Sequence, residues 1–316
     1  MRYNRIPVVF AFDNNLAFPA CVCLSSLMMH AKVNTFYDIF ILHSEKEMLR
    51  TEELDKLPIF YPNCRITYRT VGNTFDQAFE IRGITTAAYY RLLIPELIPE
   101  YEKIIYSDVD VIFRMDLTEL YALDIENYYI AATRDLGLNL SKDGIAYIKS
   151  MPELHLGEYI QSGFIVLNSK AIKKDGLVEK FKKIAKRKLK YQDQDTLNIA
   201  CYGKIYYLPL QYNMTDYSFE YAMNNRKLLY SWSNDVEIET AIAIGNLHYN
   251  GHKPWKKYCV NFDIWWEYYR KSPYFNEKFY FDFFYGKLDE LDQLPFIKRV
   301  KILIRYFIYG RRYLNK

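Results

Sequence analysis

The sequence lacks the cysteine patterns that stabilise secreted proteins or bind zinc. Its 316 residues include five cysteines, an odd number, and no two are spaced as C-x-x-C. We therefore expect neither a disulfide framework nor a zinc site, and we predict a reducing, cytosolic environment. The first apolar run, at 6–12, is too short for a secretory signal, and no run reaches the roughly 18 apolar residues that span a bilayer.

Glycine-rich phosphate-binding motifs are also missing. The sequence contains neither G-x-G-x-x-G nor G-x-x-x-x-G-K-[ST], so it predicts neither a dinucleotide site of that type nor a P-loop. Net charge is small, at +4, and it is unevenly spread, because residues 296–316 hold seven basic residues and no acidic one. The rest of the chain is net negative, which argues against a nucleic-acid-binding face.

What the chain does contain is an alternation of strand-like and helix-like segments. The uniformly apolar stretch at 6–12 predicts a buried strand, and further strands are predicted at 36–42, 65–69 and 103–107. Helices are predicted between them at 16–31, 45–57 and 87–93. This order predicts an α/β fold with a mostly parallel, doubly wound sheet. The second half is mixed, with strands predicted at 159–168 and 242–247 and helices at 169–190 and 196–201.

Two carboxylates close the strand at 103–107. Asp108 and Asp110 stand at i and i+2, so an extended backbone places them on one face, about 6.6 Å apart along the chain. Carboxylate oxygens suit a hard divalent cation such as Mn²⁺ or Mg²⁺, and ligands bind at strand ends in open α/β sheets. D-x-D also occurs in solvated turns, but the apolar neighbours make uncoordinated carboxylates costly here.

A histidine-containing segment follows the strand predicted at 242–247. His248 offers an imidazole ligand, Gly251 permits close approach of the backbone, and Lys253 offers a point charge for a phosphate. An ordinary polar surface loop is the alternative interpretation of this segment.

Two more segments combine polar groups with the ends of predicted elements. Asp193 and Gln194 lie at the start of a helix, where acidic groups also complement the helix dipole. Asp13 and Asn15 follow the first strand, where they could contact a nucleobase or ribose. An Asx turn with Asn15 capping the next helix fits them equally well.

The order and spacing of these segments resemble glycosyltransferase family 8, retaining enzymes of the GT-A type that include bacterial lipopolysaccharide galactosyl- and glucosyltransferases. The matching segments are 8–13, 86–91, 106–111, 161–168, 191–198 and 248–255. The resemblance implies a GT-A fold, with a Rossmann-like nucleotide-binding half, a mixed acceptor-side half and a C-terminal helical tail.

The resemblance also implies a metal and nucleotide site. It assigns Mn²⁺, or Mg²⁺, to Asp108, Asp110 and His248, with the metal bridging the diphosphate of a UDP-sugar. Contacts to the UDP-sugar donor are implied for Asp13, Asn15, Arg91, Asp108, Gly251 and Lys253.

A sugar site is implied next to it. The residues placed around the donor sugar are Arg91, Asp193 and Gln194, with Gln194 near the anomeric carbon. Asp135 would face the donor sugar or the acceptor. The resemblance makes these four residues, Gln194, Asp193, Asp135 and Arg91, the candidate catalytic residues. Gln161 stands where relatives commonly have asparagine, at a position near the acceptor.

The implied function is retaining transfer of galactose or glucose from a UDP-hexose to a glycan acceptor, such as lipid-linked lipopolysaccharide. Two alternatives remain open on the residues alone. A metal-dependent phosphohydrolase would use Asp108 as its nucleophile, although Ile112 stands where that motif has threonine. An inactive glycan- or membrane-binding protein could share the same scaffold.

The C-terminal region differs from the rest. We predict a catalytic domain at 1–260 and an aromatic, basic membrane-association region at 261–316. One face of a helix at 297–316 would carry the apolar side chains of Val300, Leu303, Ile304, Phe307 and Leu314. The opposite side would carry Lys298, Lys301, Arg305, Arg312 and Lys316. Such a helix is typical of binding to an anionic membrane, here through 296–316 at the cytoplasmic face. Packing on the body of the protein is the alternative.

Overall fold

The computed structural model describes residues 4–75 and 86–309. The chain divides into two compact units, Met1–Gly251 and His252–Lys316. The division predicted at 260/261 separates a catalytic role from a membrane-binding role, and it stays a prediction.

In the described part of the first unit, ten strands form two sheets. They are β1 Asn4–Ala11, β2 Thr35–Ser44, β3 Cys64–Val71, β4 Lys103–Ser107, β5 Val111–Ile112, β6 Ile130–Arg134, β7 Ile160–Asn168, β8 Ile205–Tyr207, β9 Met214–Thr215 and β10 Leu247–His248. The large sheet has the order β3-β2-β1-β4-β7-β6-β8, and the small one has the order β5-β10-β9.

The large sheet is mostly parallel, which confirms the predicted α/β class. β1 pairs in parallel with β2 on one side and with β4 on the other, and β2–β3 and β6–β8 are also parallel. β7 runs antiparallel to β4 and β6. Since Val9 lies opposite Tyr106, β1 and β4 end at the same edge of the sheet. The order reverses beside β1, and a reversal of this kind is where open α/β sheets bind ligands.

Helices cover the sheet and fill the connections. Those of the first unit are α1 Ala17–Met29, α2 Leu57–Phe60, α3 Ile94–Leu97, α4 Thr118–Ala122, α5 Leu136–Leu140, α6 Lys142–Ser150, α7 Ser169–Lys174, α8 Leu177–Ala185, α9 Gln192–Cys201, α10 Asp216–Asn224 and α11 Asp235–Ile244. The helix predicted at 87–93 is a 3₁₀ helix, Thr86–Leu93. The interior is apolar: β7 is buried along its whole length.

The helix predicted at 45–57 is wrong. Only a 3₁₀ turn, Leu54–Lys56, and the short α2 form there. The Asn14 side chain holds the preceding loop, because it donates to Glu47 and to the carbonyl of Met48 and accepts from the backbone N–H of Arg50. The loop's hydrogen bonds therefore go to a distant side chain instead of to a helix.

Two other boundaries differ from the predictions. The helix predicted at 169–190 is divided into α7 and α8 by Gly176, whose φ of 65° is left-handed and suits glycine. The first half of the strand predicted at 242–247 belongs instead to helix α11, which begins at an Asn234–Glu237 capping box and ends before Gly245. Only β10 remains extended there.

The second unit is built from aromatic side chains. Its helices are α12 Phe262–Lys271, α13 Glu277–Asp292 and α14 Phe296–Tyr309. Trp265 and Trp266 are each 1% exposed, and the Trp266 ring lies 4.5 Å from that of Phe283. Aromatic packing within this unit therefore accounts for part of the 17% aromatic content.

The last described helix, α14, keeps large apolar side chains in solvent. The most exposed are Phe296, Ile297, Leu303, Ile304, Phe307 and Ile308, with Phe307 83% exposed. The rest of the predicted tail, 310–316, lies outside the described residues. Within the described part of the chain, no helix combines the length and the apolar character needed to cross a bilayer.

Candidate functional site

The three predicted metal ligands come together beside the end of β4. Asp108 and Asp110 occupy the turn between β4 and β5, and β10 pairs antiparallel with β5 so that His248 lies opposite Val111. One ligand atom from each side chain lies within 4.8 Å of the other two. His248 Nε2 is 3.2 Å from Asp110 Oδ1 and 3.7 Å from Asp108 Oδ2.

The two oxygens of Asp108 have different surroundings. Oδ1 accepts from Arg91 Nη2 at 2.8 Å and from the Tyr106 hydroxyl at 2.7 Å. Oδ2 is the oxygen nearer His248. The first oxygen thus anchors the carboxylate, and the second is directed at the cluster.

Gly163, on β7, is packed directly against this cluster. A Cβ built there would collide with Asp108 Oδ2 and His248 Cε1. The carbonyl of Gly163 accepts from the Asp108 backbone N–H at 2.7 Å. A residue without a side chain is therefore needed where strand and ligands approach so closely.

The donor set fits a hard divalent cation. Two carboxylate oxygens and one imidazole nitrogen converge, a combination that Mn²⁺ and Mg²⁺ accept in proteins. Lone pairs that converge in this way repel one another, and a cation placed among them turns the repulsion into attraction. The half-buried position of the two carboxylates limits competition from water.

Arg91 links the metal cluster to the predicted sugar site. It is 4% exposed, its Nη2 contacts Asp108, and its Nε lies 3.2 Å from Asp193 Oδ2. Burial alone lowers the pKa of Arg91, but the nearby Asp108 and Asp193 outweigh burial and raise it. The guanidinium, 4.3 Å from the Tyr106 ring centroid, is therefore a permanent buried cation.

Asp193, Gln194 and Asp135 form one hydrogen-bonded chain through Ser162. Ser162 Oγ donates to Asp193 Oδ2 at 2.8 Å, and its backbone N–H donates to Gln194 Oε1 at 3.1 Å. Gln194 Nε2 in turn donates to Asp135 Oδ2 at 2.9 Å. Burial raises the pKa of both Asp135 and Asp193, with Arg91 opposing the rise at Asp193. The structure thus brings these three predicted residues together.

Asp195, on the same helix as Asp193 and Gln194, stabilises the start of that helix. The sequence prediction gave it no role beyond the polar start of the helix. It is fully buried and accepts from the hydroxyls of Tyr147 and Tyr159, each at 2.5 Å, and from the backbone N–H of Tyr191. Asp195 therefore fixes the first turn of α9, which carries Asp193 and Gln194. Its two hydroxyl partners lie 48 and 36 residues away in sequence, which is why no local pattern revealed it.

The predicted nucleotide-binding residues are more scattered. Asp13 accepts from the backbone N–H of Asn15 at 2.9 Å, as in an Asx turn. Both lie just beyond β1, at the edge of the sheet where β4 ends, and Asn15 is exposed. A Cβ on Gly251 would lie 2.6 Å from Asp216 Oδ2, so this backbone passes close to that carboxylate. Lys253 belongs to the second unit, and its role stays a prediction.

Comparison with known proteins gives one consistent result. The model for glycosyl transferase family 8 matches residues 7–259. An Escherichia coli lipopolysaccharide 1,2-glucosyltransferase is 26% identical over 280 residues, covering 85% of this chain and 79% of that protein.

Solved structures show the same fold. The galactosyltransferase LgtC, in complex with donor and acceptor sugar analogs, has a TM-score of 0.69 at 23% identity, covering 86% of this chain and 98% of LgtC. The bifunctional glycosyltransferase WbbM has a TM-score of 0.69 at 24% identity. The match covers 87% of this chain and 51% of the WbbM chain, so this chain spans about half the length of WbbM. These similarities confirm the predicted GT-A type fold.

Proposed function

Because the chain belongs to glycosyl transferase family 8, we propose that it transfers galactose or glucose from a UDP-sugar to a glycan acceptor, with retention at the anomeric carbon. The family uses a nucleotide-sugar donor and a divalent metal. The observation that carries the proposal is the convergence of Asp108, Asp110 and His248 at the edge of the sheet where β1 also ends.

In this proposal Asp108, Asp110 and His248 would hold Mn²⁺ or Mg²⁺. When bound, the cation supplies Lewis-acid stabilisation of the charge that develops on the leaving diphosphate. Arg91 adds a fixed positive charge beside Asp108 and orients that carboxylate. Asp13, Asn15, Gly251 and Lys253 are assigned to the UDP part of the donor.

Retention follows from the side on which the new bond forms. The bond between the anomeric carbon and the phosphate oxygen breaks, and the acceptor oxygen attacks the carbon from the same face. The acceptor's proton passes to the leaving phosphate. Gln194 supports this account because its carbonyl already accepts from Ser162 and its amide nitrogen donates to Asp135. An amide held at both ends is a poor nucleophile.

The proposed acceptor is a lipid-linked surface glycan such as lipopolysaccharide. The resemblance to the Escherichia coli glucosyltransferase supports this choice. We assign 1–260 to catalysis and 261–316 to peripheral binding at the cytoplasmic face of the membrane. Exposed apolar side chains on α14, among basic residues of the same helix, support the second assignment.

A panel of UDP-sugars tests the catalytic part. We expect Mn²⁺-dependent hydrolysis or transfer with UDP-galactose or UDP-glucose. Asp110→Asn should reduce it at least about 100-fold, because a carboxylate ligand of the cation that stabilises the leaving diphosphate is lost. Asp143→Asn, an exposed carboxylate at the start of α6, is the matched control and should retain activity. Full activity of Asp110→Asn would refute the metal assignment.

Co-sedimentation with vesicles tests the membrane part. The full chain should bind vesicles that contain anionic lipid, and a variant ending at Pro295 should bind them far less. Binding should weaken as salt is raised, because surface charges are screened. If the shortened variant bound the same vesicles equally well, the tail would not be the membrane contact.

A further inference from the structure

His248 has a buried partner on the ring nitrogen that faces away from the carboxylates. Its Nδ1 lies 2.9 Å from Asn213 Oδ1, while Nε2 faces Asp108 and Asp110. Asn213 is 1% exposed and His248 is 2% exposed. Which ring nitrogen carries the proton decides whether Nε2 has a lone pair for a metal.

The direction of every hydrogen bond here can be read from one backbone group. The N–H of Gly163 can only donate, and it points at the side-chain amide of Gln161, 2.7 Å from Oε1. The atom at that position must therefore be the oxygen. The same oxygen lies 2.8 Å from Asn213 Nδ2.

The orientation of Asn213 follows from that of Gln161. Because the Gln161 oxygen is an acceptor, the NH₂ group of Asn213 must face it. The oxygen of Asn213 then faces His248. Since that oxygen can only accept, Nδ1 of His248 carries a proton and donates it.

We propose that Gln161 and Asn213 form an amide relay that holds His248 with its proton on Nδ1 and so keeps Nε2 open as a metal ligand. Both are positioning residues, because they act through His248. The tautomer follows from the hydrogen bonds alone. The expected effect of the tautomer on metal affinity rests on the proposed function.

Gly163 is the origin of the relay and also fixes the other side of the cluster. Its N–H orients Gln161, and its carbonyl accepts from the backbone N–H of Asp108. One peptide segment of β7 therefore sets the orientation of an imidazole ligand and the position of a carboxylate ligand. Loss of a hydrogen-bond partner of a metal ligand typically lowers metal affinity about 10- to 100-fold.

Nitrogen NMR of ¹⁵N-histidine-labelled, metal-free protein tests the tautomer directly. The chain has five histidines, and His248→Gln identifies the signals of His248. For the neutral ring we expect a protonated Nδ1 and an unprotonated Nε2 in the unmodified protein. The opposite tautomer would overturn the proposal without any variant of the relay.

Variants separate the relay from a general role in stability. Asn213→Ala should abolish the preference for Nδ1–H and weaken Mn²⁺ binding about 10- to 100-fold, measured by electron paramagnetic resonance. Asn213→Asp should keep the tautomer, because a carboxylate oxygen still accepts from Nδ1, although its second oxygen would repel that of Gln161. Gln161→Glu should also keep it, since both of its neighbours donate.

Asn168→Ala is the matched control for loss of a buried asparagine. Asn168 makes side-chain hydrogen bonds to the carbonyls of Ile125 and Tyr128, at the opposite end of β7. It should lower thermal stability while leaving the signals of His248 unchanged. Unchanged His248 signals in a folded Asn213→Ala protein would refute the relay. A correct tautomer without Mn²⁺-dependent turnover of any UDP-sugar would refute the proposed function and leave the relay standing.

Discussion

Replacing Gly163 by alanine adds a single methyl group at the centre of the candidate metal site. The backbone tolerates alanine there, because Gly163 is not among the glycines with positive φ. The methyl carbon would overlap Asp108 Oδ2 and His248 Cε1 and would lie 3.1 Å from Gln161 Oε1. Ordinary contacts between such atoms need about 3.5 Å, so both ligands must move by about 1 Å.

That displacement sets the expected size of the effect. Overpacking of this kind typically costs about 1–3 kcal/mol of stability. A misplacement of about 1 Å in a reacting assembly can cost about 100-fold in rate. We therefore expect Gly163→Ala to remain folded, to bind Mn²⁺ more weakly and to lose about 100-fold in transfer activity.

Three measurements on one preparation check this expectation. They are thermal unfolding, Mn²⁺ affinity and the rate of UDP-sugar turnover. Gly72→Ala is the control, because a Cβ there meets the Glu45 carboxylate at 3.6 Å, an ordinary contact. If Gly163→Ala bound Mn²⁺ as tightly as the unmodified protein and kept its turnover, the close approach of β7 to the ligands would not be needed for metal binding or transfer.

Two further predictions concern the polar chain around Gln194. Burial raises the pKa of Asp193 in the folded protein above its unfolded-state value of about 3.9. Protonated Asp193 therefore contributes to folding stability below that unfolded-state value, and the contribution is lost as pH rises through the higher folded pKa. The melting temperature of Asp193→Asn minus that of the unmodified protein should therefore increase between pH 4 and pH 7, and a constant or falling difference would contradict the assigned burial effect. Tyr159→Phe removes a buried hydrogen bond to the Asp195 carboxylate and should lower the free energy of unfolding by about 1.5–3 kcal/mol in denaturant titrations. Tyr207→Phe, whose hydroxyl bonds an exposed carbonyl, should change it far less.

The parts of this fold that were predictable are those with a local pattern. Uniformly apolar strands identify a buried sheet, and Asp108 and Asp110 lie at the end of one. Strands β5 and β10 have two residues each, which is too short for any periodicity, so their pairing was not predictable from sequence. That pairing is what brings His248 to the carboxylates. The residues alone offered His248 as a possible ligand, and the family resemblance assigned it to the same metal as Asp108 and Asp110.

The supporting residues could not be predicted for a related reason. Ser162, Asn213 and Asp195 are polar residues in ordinary surroundings of the sequence, and their partners lie tens of residues away. Asn14 shows the same effect on secondary structure, because its contacts with residues 47–50 replace the helix predicted there. Tertiary hydrogen bonds of this kind produce no recognisable sequence pattern around the residues that form them.

The charge of the site makes metal and nucleotide binding interdependent. Four carboxyl groups belong to the cluster and its polar chain, those of Asp108, Asp110, Asp135 and Asp193, and Arg91 is the buried cation in contact with two of them. A diphosphate brought within about 4 Å of an unscreened carboxylate meets a repulsion on the order of 4 kcal/mol at an effective dielectric constant of about 20. A dication bound between the carboxylates and the diphosphate replaces that repulsion with attraction.

Binding of UDP should therefore require the metal. We expect calorimetry to show UDP affinity at least about 100-fold lower in the presence of a chelator than with Mn²⁺, which corresponds to about 2.7 kcal/mol of coupling. Because coupling between two binding events is reciprocal, UDP must raise the affinity for Mn²⁺ by the same factor. Asp110→Asn should shrink both factors together. Equal UDP affinity with and without Mn²⁺ would mean that the nucleotide does not reach Asp108 and Asp110, and the charge argument for this site would fail.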